Sequence, residues 1–107
     1  LSELPVVATS HLMHCMESAT VAALSEHLDN GETTYLLSTT FELLASAQVG
    51  DELRANARCI DINGRELTFE CEIYEGERHI AQAEIKRATV ERVTFLARTA
   101  AESLIKN

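Results

Sequence analysis

"ELRANARCIDINGRELTFECEIYEG", residues 52–76, is the stretch whose periodicity decides the architecture. In 65–75, Leu67, Phe69, Cys71 and Ile73 fall on one face, and Glu66, Thr68, Glu70 and Glu72 on the other. That period of two marks a half-buried strand. Residues 52–62 alternate in the same way, with Leu53, Ala55, Ala57 and Cys59 on one side. Asn63-Gly64 between the two runs is the preferred pair for a two-residue type I′ turn, so the segment predicts a β-hairpin. Glu75-Gly76-Glu77 turns the chain again, into a long strand over 78–90, "RHIAQAEIKRATV", with a mostly small-residue face.

Upstream, 34–45, "TYLLSTTFELLA", is rich in β-branched and aromatic residues and is closed by the break "SAQVGD". Before it the period changes. Residues 10–28, "SHLMHCMESATVAALSEHL", contain no Gly or Pro, and Leu12, Met13, Cys15, Met16, Ala19, Ala22 and Ala23 share one broad helical face. Thr9 or Ser10 is positioned to cap this helix, and Asp29-Asn30-Gly31 to stop it. The three alanines let it lie close against a sheet. From 91 onward, "ERVTFLARTAAESLIK" returns to helical spacing through Val93, Leu96, Ala97, Ala100 and Leu104. The order predicts a single α+β domain over residues 1–107, with a long helix on a four-stranded antiparallel sheet and a C-terminal helix. The sheet leaves an edge or a face to be covered, which a second copy would do.

Composition narrows the function. With 17 acidic residues against 9 basic ones the net charge is −8, which repels phosphate backbones and argues against nucleic acid. No apolar run approaches a bilayer span, and no basic, apolar leader is recognisable, so the expected setting is cytoplasmic and without a membrane. Cys15, Cys59 and Cys71 are odd in number, lack a Cys-x-x-Cys pair and are expected in the core.

The run "TSHLMHCMES", residues 9–18, concentrates the polar chemistry. His11, His14 and Cys15 share helical neighbourhoods, but zinc wants three or four ligands and no second motif supplies them. No metal or other cofactor is expected; His11 and His14 read as surface imidazoles and Cys15 as a core thiol. Glu17 differs, because its neighbours at three and four residues include Met13 and Val21, placing it at the margin of the apolar stripe. A carboxylate partly desolvated there becomes useful as a base or nucleophile. The plain alternative is a boundary glutamate whose head reaches water.

The order of elements resembles the hotdog fold and, within it, the fluoroacetyl-CoA thioesterase-like family. The matching strings are "LPVVAT" into the helix, Met16-Glu17, "LDNGE" at its end, "VGDELRANARCIDINGRELTFECEIYEG", and the final "KRATV". The resemblance implies a helix wrapped by the sheet, a homodimer joined edge to edge, and an acyl-CoA thioester bound at the dimer interface. It also implies hydrolysis carried by a Thr, a Glu and a His. Thr9 and Glu17 take the first two positions, whereas Leu43 stands where the family has its histidine and Leu36 where it has a glycine. Both leucines are therefore expected to line and narrow the acyl pocket. Lys86 and Arg87 are the candidates for the CoA phosphates. Two functions compete on these grounds: hydrolysis of a small or medium acyl-CoA with Glu17 as base or nucleophile, and non-catalytic binding of an acyl ligand.

Overall fold

The computed structural model describes residues 6–25 and 28–106. Its elements, in chain order, are α1 (Thr9–Leu24), β1 (Glu32–Leu43), β2 (Arg54–Asn63), β3 (Glu66–Glu75), β4 (Arg78–Glu91) and α2 (Arg92–Lys106). All strands pair antiparallel in the spatial order β1-β4-β3-β2, so β2, β3 and β4 form a meander and β1 returns to its far side. Leu4, Pro5, Glu26 and His27, which belong to the strings read above, lie outside the described residues.

The helix starts one residue earlier than expected. Ala8 is the N-cap, in an extended conformation, and no side chain caps the first turn, so Thr9 is a helical residue rather than a cap. The buried stripe is Leu12, Met16, Thr20 and Leu24, a strict i, i+4 row, while Met13 and Ala22 are exposed. Buried Thr20 is tolerated because its hydroxyl donates to the Glu17 carbonyl at 2.7 Å.

The stripe packs over β2 and β3 and only skims β4. It meets the predicted inner face of β3, Leu67, Phe69, Cys71 and Ile73, continued on β4 by Ala81, Ala83 and Ile85. Each fully buried large side chain here, such as Phe69 or Ile73, contributes about 1.5–3 kcal/mol. Cys71 belongs to this core, but Cys59 is exposed. Although Cys59 sits opposite Phe69, it lies on an edge strand beside a bulge at Ile60 and gains no cover.

The hairpin turn also differs from expectation. Asn63 pairs with Glu66, so the turn residues are Gly64-Arg65. Gly64 has φ +63° and no described non-glycine residue has a positive φ, the pattern of a type II′ turn. Gly76-Glu77 repeats it between β3 and β4, with φ +58° at Gly76. The opposite face of the sheet is polar. Tyr35 stacks there on Phe95 of α2, with ring centroids 5.1 Å apart.

Candidate functional site

α1 packs on β2 and β3 and barely reaches β4, so along its other flank the inner face of β1, with exposed Leu36 and Leu43, is left uncovered as an open trough between the helix and that edge strand. Glu17 lies on that flank. Its carboxylate accepts a hydrogen bond at 3.4 Å from the Arg87 guanidinium of β4. Arg87 is 7% exposed at its side chain and Glu17 44%, so the pair joins a buried cation to a half-open carboxylate. Glu17 thus sits at the boundary of the apolar stripe, with part of its side chain covered and part in reach of water. Arg87 also donates from Nε to the Thr34 hydroxyl at 2.8 Å and from a terminal nitrogen to the Thr34 carbonyl at 3.4 Å. A buried guanidinium needs such partners, since an uncompensated charge in the interior is costly.

Thr9 does not touch Glu17. Eight positions apart on the helix, they are offset by roughly 12 Å along its axis and about 80° around it. The N-terminal end of the trough is fixed by the Val7 amide donating to Ala47 and by the Leu44 and Ala45 amides both donating to Ile80. Without a side-chain cap, the first amides of α1 beside Thr9 point outward as donors.

Leu36 and Leu43 are seven residues apart, an odd spacing that would put them on opposite faces of a regular strand. A bulge at Leu37 restores the phase: Leu36 pairs with Arg87 and Leu43 with Ala81, both on the α1 face. Leu36 therefore flanks the Glu17–Arg87 end of the trough and Leu43, 50% exposed, the Thr9 end. Lys86 and Arg87, expected together on phosphate, diverge. Adjacent residues of a strand face opposite ways, so Lys86 is exposed on the polar face while Arg87 is buried and committed to Glu17 and Thr34. Thr34 and the bulge were not recognisable as site features from sequence. No group of His, Cys, Asp and Glu suited to a metal occurs among the described residues. An open hollow of about 700 Å³ lies across the polar face, where Thr40, Glu42, Arg58, Glu70 and Glu84 line it. It offers glutamates but no acyl-sized apolar wall, and the trough is the better site.

A sequence model of fluoroacetyl-CoA-specific thioesterases, FlK, matches residues 2–93. The chain belongs to this family. Among solved structures, FlK is 25% identical, with a TM-score of 0.84 over 92% of this chain and 74% of its own. A single-residue variant of FlK in complex with fluoroacetate and CoA is 26% identical, with a TM-score of 0.80 over 87% of this chain and 75% of its own. A thioesterase superfamily member from Thermus thermophilus, 24% identical, matches all of this chain and 83% of its own length with a TM-score of 0.86. No curated protein matches. The antiparallel sheet with α1 packed on one face is thus the hotdog fold of the FlK family. No described helix is long and apolar enough to cross a membrane.

Proposed function

We propose that this protein is an acyl-CoA thioesterase-like hydrolase that cleaves a small or medium acyl-CoA thioester in the trough between α1 and β1. The observation that carries the proposal is the Glu17–Arg87 pair, which presents a half-exposed carboxylate of fixed orientation in a chain of the FlK family. Glu17 acts on the thioester carbonyl as nucleophile or through an activated water, and Arg87 and Thr34 hold it in place. Thr9 and the uncapped amides of α1, roughly 12 Å further along the helix axis, offer hydrogen-bond donors to the bound ligand at the other end of the trough. The CoA-bound FlK variant supports a CoA thioester as the ligand. Thiol release from a panel of acyl-CoAs tests this directly: wild-type protein turns over at least one of them, and Glu17→Gln reduces that rate by two orders of magnitude or more. An unaffected variant would refute the assignment.

The protein acts as a homodimer in this reading. β1 is an open edge strand carrying exposed Tyr35, Leu36 and Leu37, and the trough beside it has one wall missing. Sedimentation equilibrium at micromolar concentration should return twice the chain mass of 11.8 kDa.

A second reading rests on Leu43. With a leucine at the family's histidine position, the proton relay is absent and the trough binds an acyl-CoA without cleaving it. Saturable acyl-CoA binding by calorimetry with no thiol release supports this alternative, and steady turnover excludes it.

A further inference from the structure

The trough carries more apolar surface than a Glu17–Arg87 pair alone requires. Met13 and Val21 lie four residues before and after Glu17, so the three share one flank of α1. Both are large and apolar, yet they are 36% and 51% exposed. Arg87 bridges this flank to β1, through Glu17 on one side and Thr34 on the other. Beyond Thr34, β1 presents Leu36, Thr39, Phe41 and Leu43 on the same face, paired in turn with Arg87, Ile85, Ala83 and Ala81. Phe41 packs partly into the core, whereas Leu36 and Leu43 are 40% and 50% exposed. Single exposed leucines are ordinary on a protein surface, but apolar rows on both sides of one flank make a contiguous patch of the kind that marks a binding groove. Edge pairing in the proposed dimer uses the backbone N–H and C=O groups of β1, which lie in the plane of the sheet. Leu36 and Leu43 stand out of that plane and stay free for a ligand.

The chemistry of these rows selects an acyl group. Each guanidinium nitrogen of Arg87 already has a partner: Nε the Thr34 hydroxyl, one terminal nitrogen the Thr34 carbonyl and the other Glu17. A polar substituent on a two-carbon acyl group must therefore break one of these bonds to gain its own. An alkyl chain needs no such partner. From Leu36 to Leu43 the apolar row runs beside β4 from Arg87 to Ala81, roughly 20 Å and well beyond the reach of two carbons. Each methylene laid against it and removed from water tightens binding by up to about fourfold. The matching family model is one of fluoroacetyl-CoA-specific thioesterases, so a taste for plain alkyl chains sets this chain apart within it.

We propose that the trough selects unsubstituted, medium-length alkyl acyl groups over two-carbon and polar ones, with Met13, Leu36 and Leu43 as the side chains that read the alkyl chain. This rests on a CoA thioester being the ligand of the trough. The test is calorimetry with acetyl-, fluoroacetyl-, butanoyl-, hexanoyl- and octanoyl-CoA, with the same ratios read as kcat/KM wherever the protein turns the thioester over. Saturable affinity should rise at least about twofold per added methylene from acetyl to octanoyl, and fluoroacetyl-CoA should bind no better than acetyl-CoA. Leu36→Ser/Leu43→Ser should flatten the series, and Leu36→Met/Leu43→Met, which keeps the apolar volume, should retain its slope. The readout is a ratio within one protein, so a general loss of folded protein does not imitate it. A flat wild-type series, or fluoroacetyl-CoA bound more tightly than octanoyl-CoA, overturns the alkyl preference and leaves the CoA thioester reading intact. A slope that survives the double serine variant overturns the assignment to these leucines. Wild-type protein that binds none of the five thioesters overturns both readings.

Discussion

Arg87 occupies a position that the alternation of β4 reserves for core residues, with Ala81, Ala83 and Ile85 preceding it on the same face. A guanidinium in such a row demands a carboxylate and acceptors nearby, and it finds Glu17 and Thr34. The demand is visible in the string "AQAEIKRATV" once the inner face is assigned, but which carboxylate answers it depends on how α1 lies on the sheet. The cysteines divide on similar grounds. Burial pushes the Cys71 thiol up from 9.0 to about 11. The unfolded chain therefore gives up this proton first, and folding stability should fall as the pH rises from 9 to 11. A thermal melt series over that range checks the sign, and Cys71→Ala should flatten it. In native protein at pH 8, a thiol reagent should modify Cys59 quickly and Cys71 only on unfolding.

At the scale of elements, the hairpin and the long helix were legible because each repeats one period over many residues. Their exact seating was not. Thr20 replaces Met13 and Ala22 in the buried stripe because α1 leans toward β2, an angle set by the shape of the sheet rather than by the helix's own pattern. The bulge at Leu37 was equally silent, since "TYLLSTTFELLA" carries no glycine or proline to announce it. It is nonetheless what places Leu36 and Leu43 on the α1 face. If the trough is a thioesterase site lacking only its relay, an imidazole at the Thr9 end should restore it. Leu43→His is expected to raise kcat at least tenfold, within the range of general acid–base catalysis, and to add a rate limb near pH 6–7. Steady-state kinetics across pH 5–9 would show both. An unchanged kcat would place the relay elsewhere.

The whole molecule is spread out for its length. Its radius of gyration is 16.5 Å, where a compact chain of this size has about 13 Å. The slab of 45 × 33 × 20 Å has one face of the sheet covered by α1, while α2 meets the other at Tyr35 and along the end of β4. The acidic composition finds its place here, because Glu42, Glu70 and Glu84 project from the polar face and keep that side solvated. In the proposed dimer the open β1 edge, with its exposed Tyr35, Leu36 and Leu37, is where the second copy pairs.

The strand order has a kinetic consequence. β2, β3 and β4 are successive hairpins, but β1 must find β4 across some forty intervening residues, a closure that is entropically dearer than either short turn. The meander is thus expected to form first and open last, with β1 joining late and fraying early. Because Thr34 holds Arg87 from β1, the proposed Glu17–Arg87 site dissolves when that one strand detaches, while the rest of the sheet is still intact. In hydrogen–deuterium exchange, peptides from 32–43 should label well before those from 66–75. Ligand should slow the first set much more than the second, so that occupancy of the trough is recorded as protection of a strand at the rim.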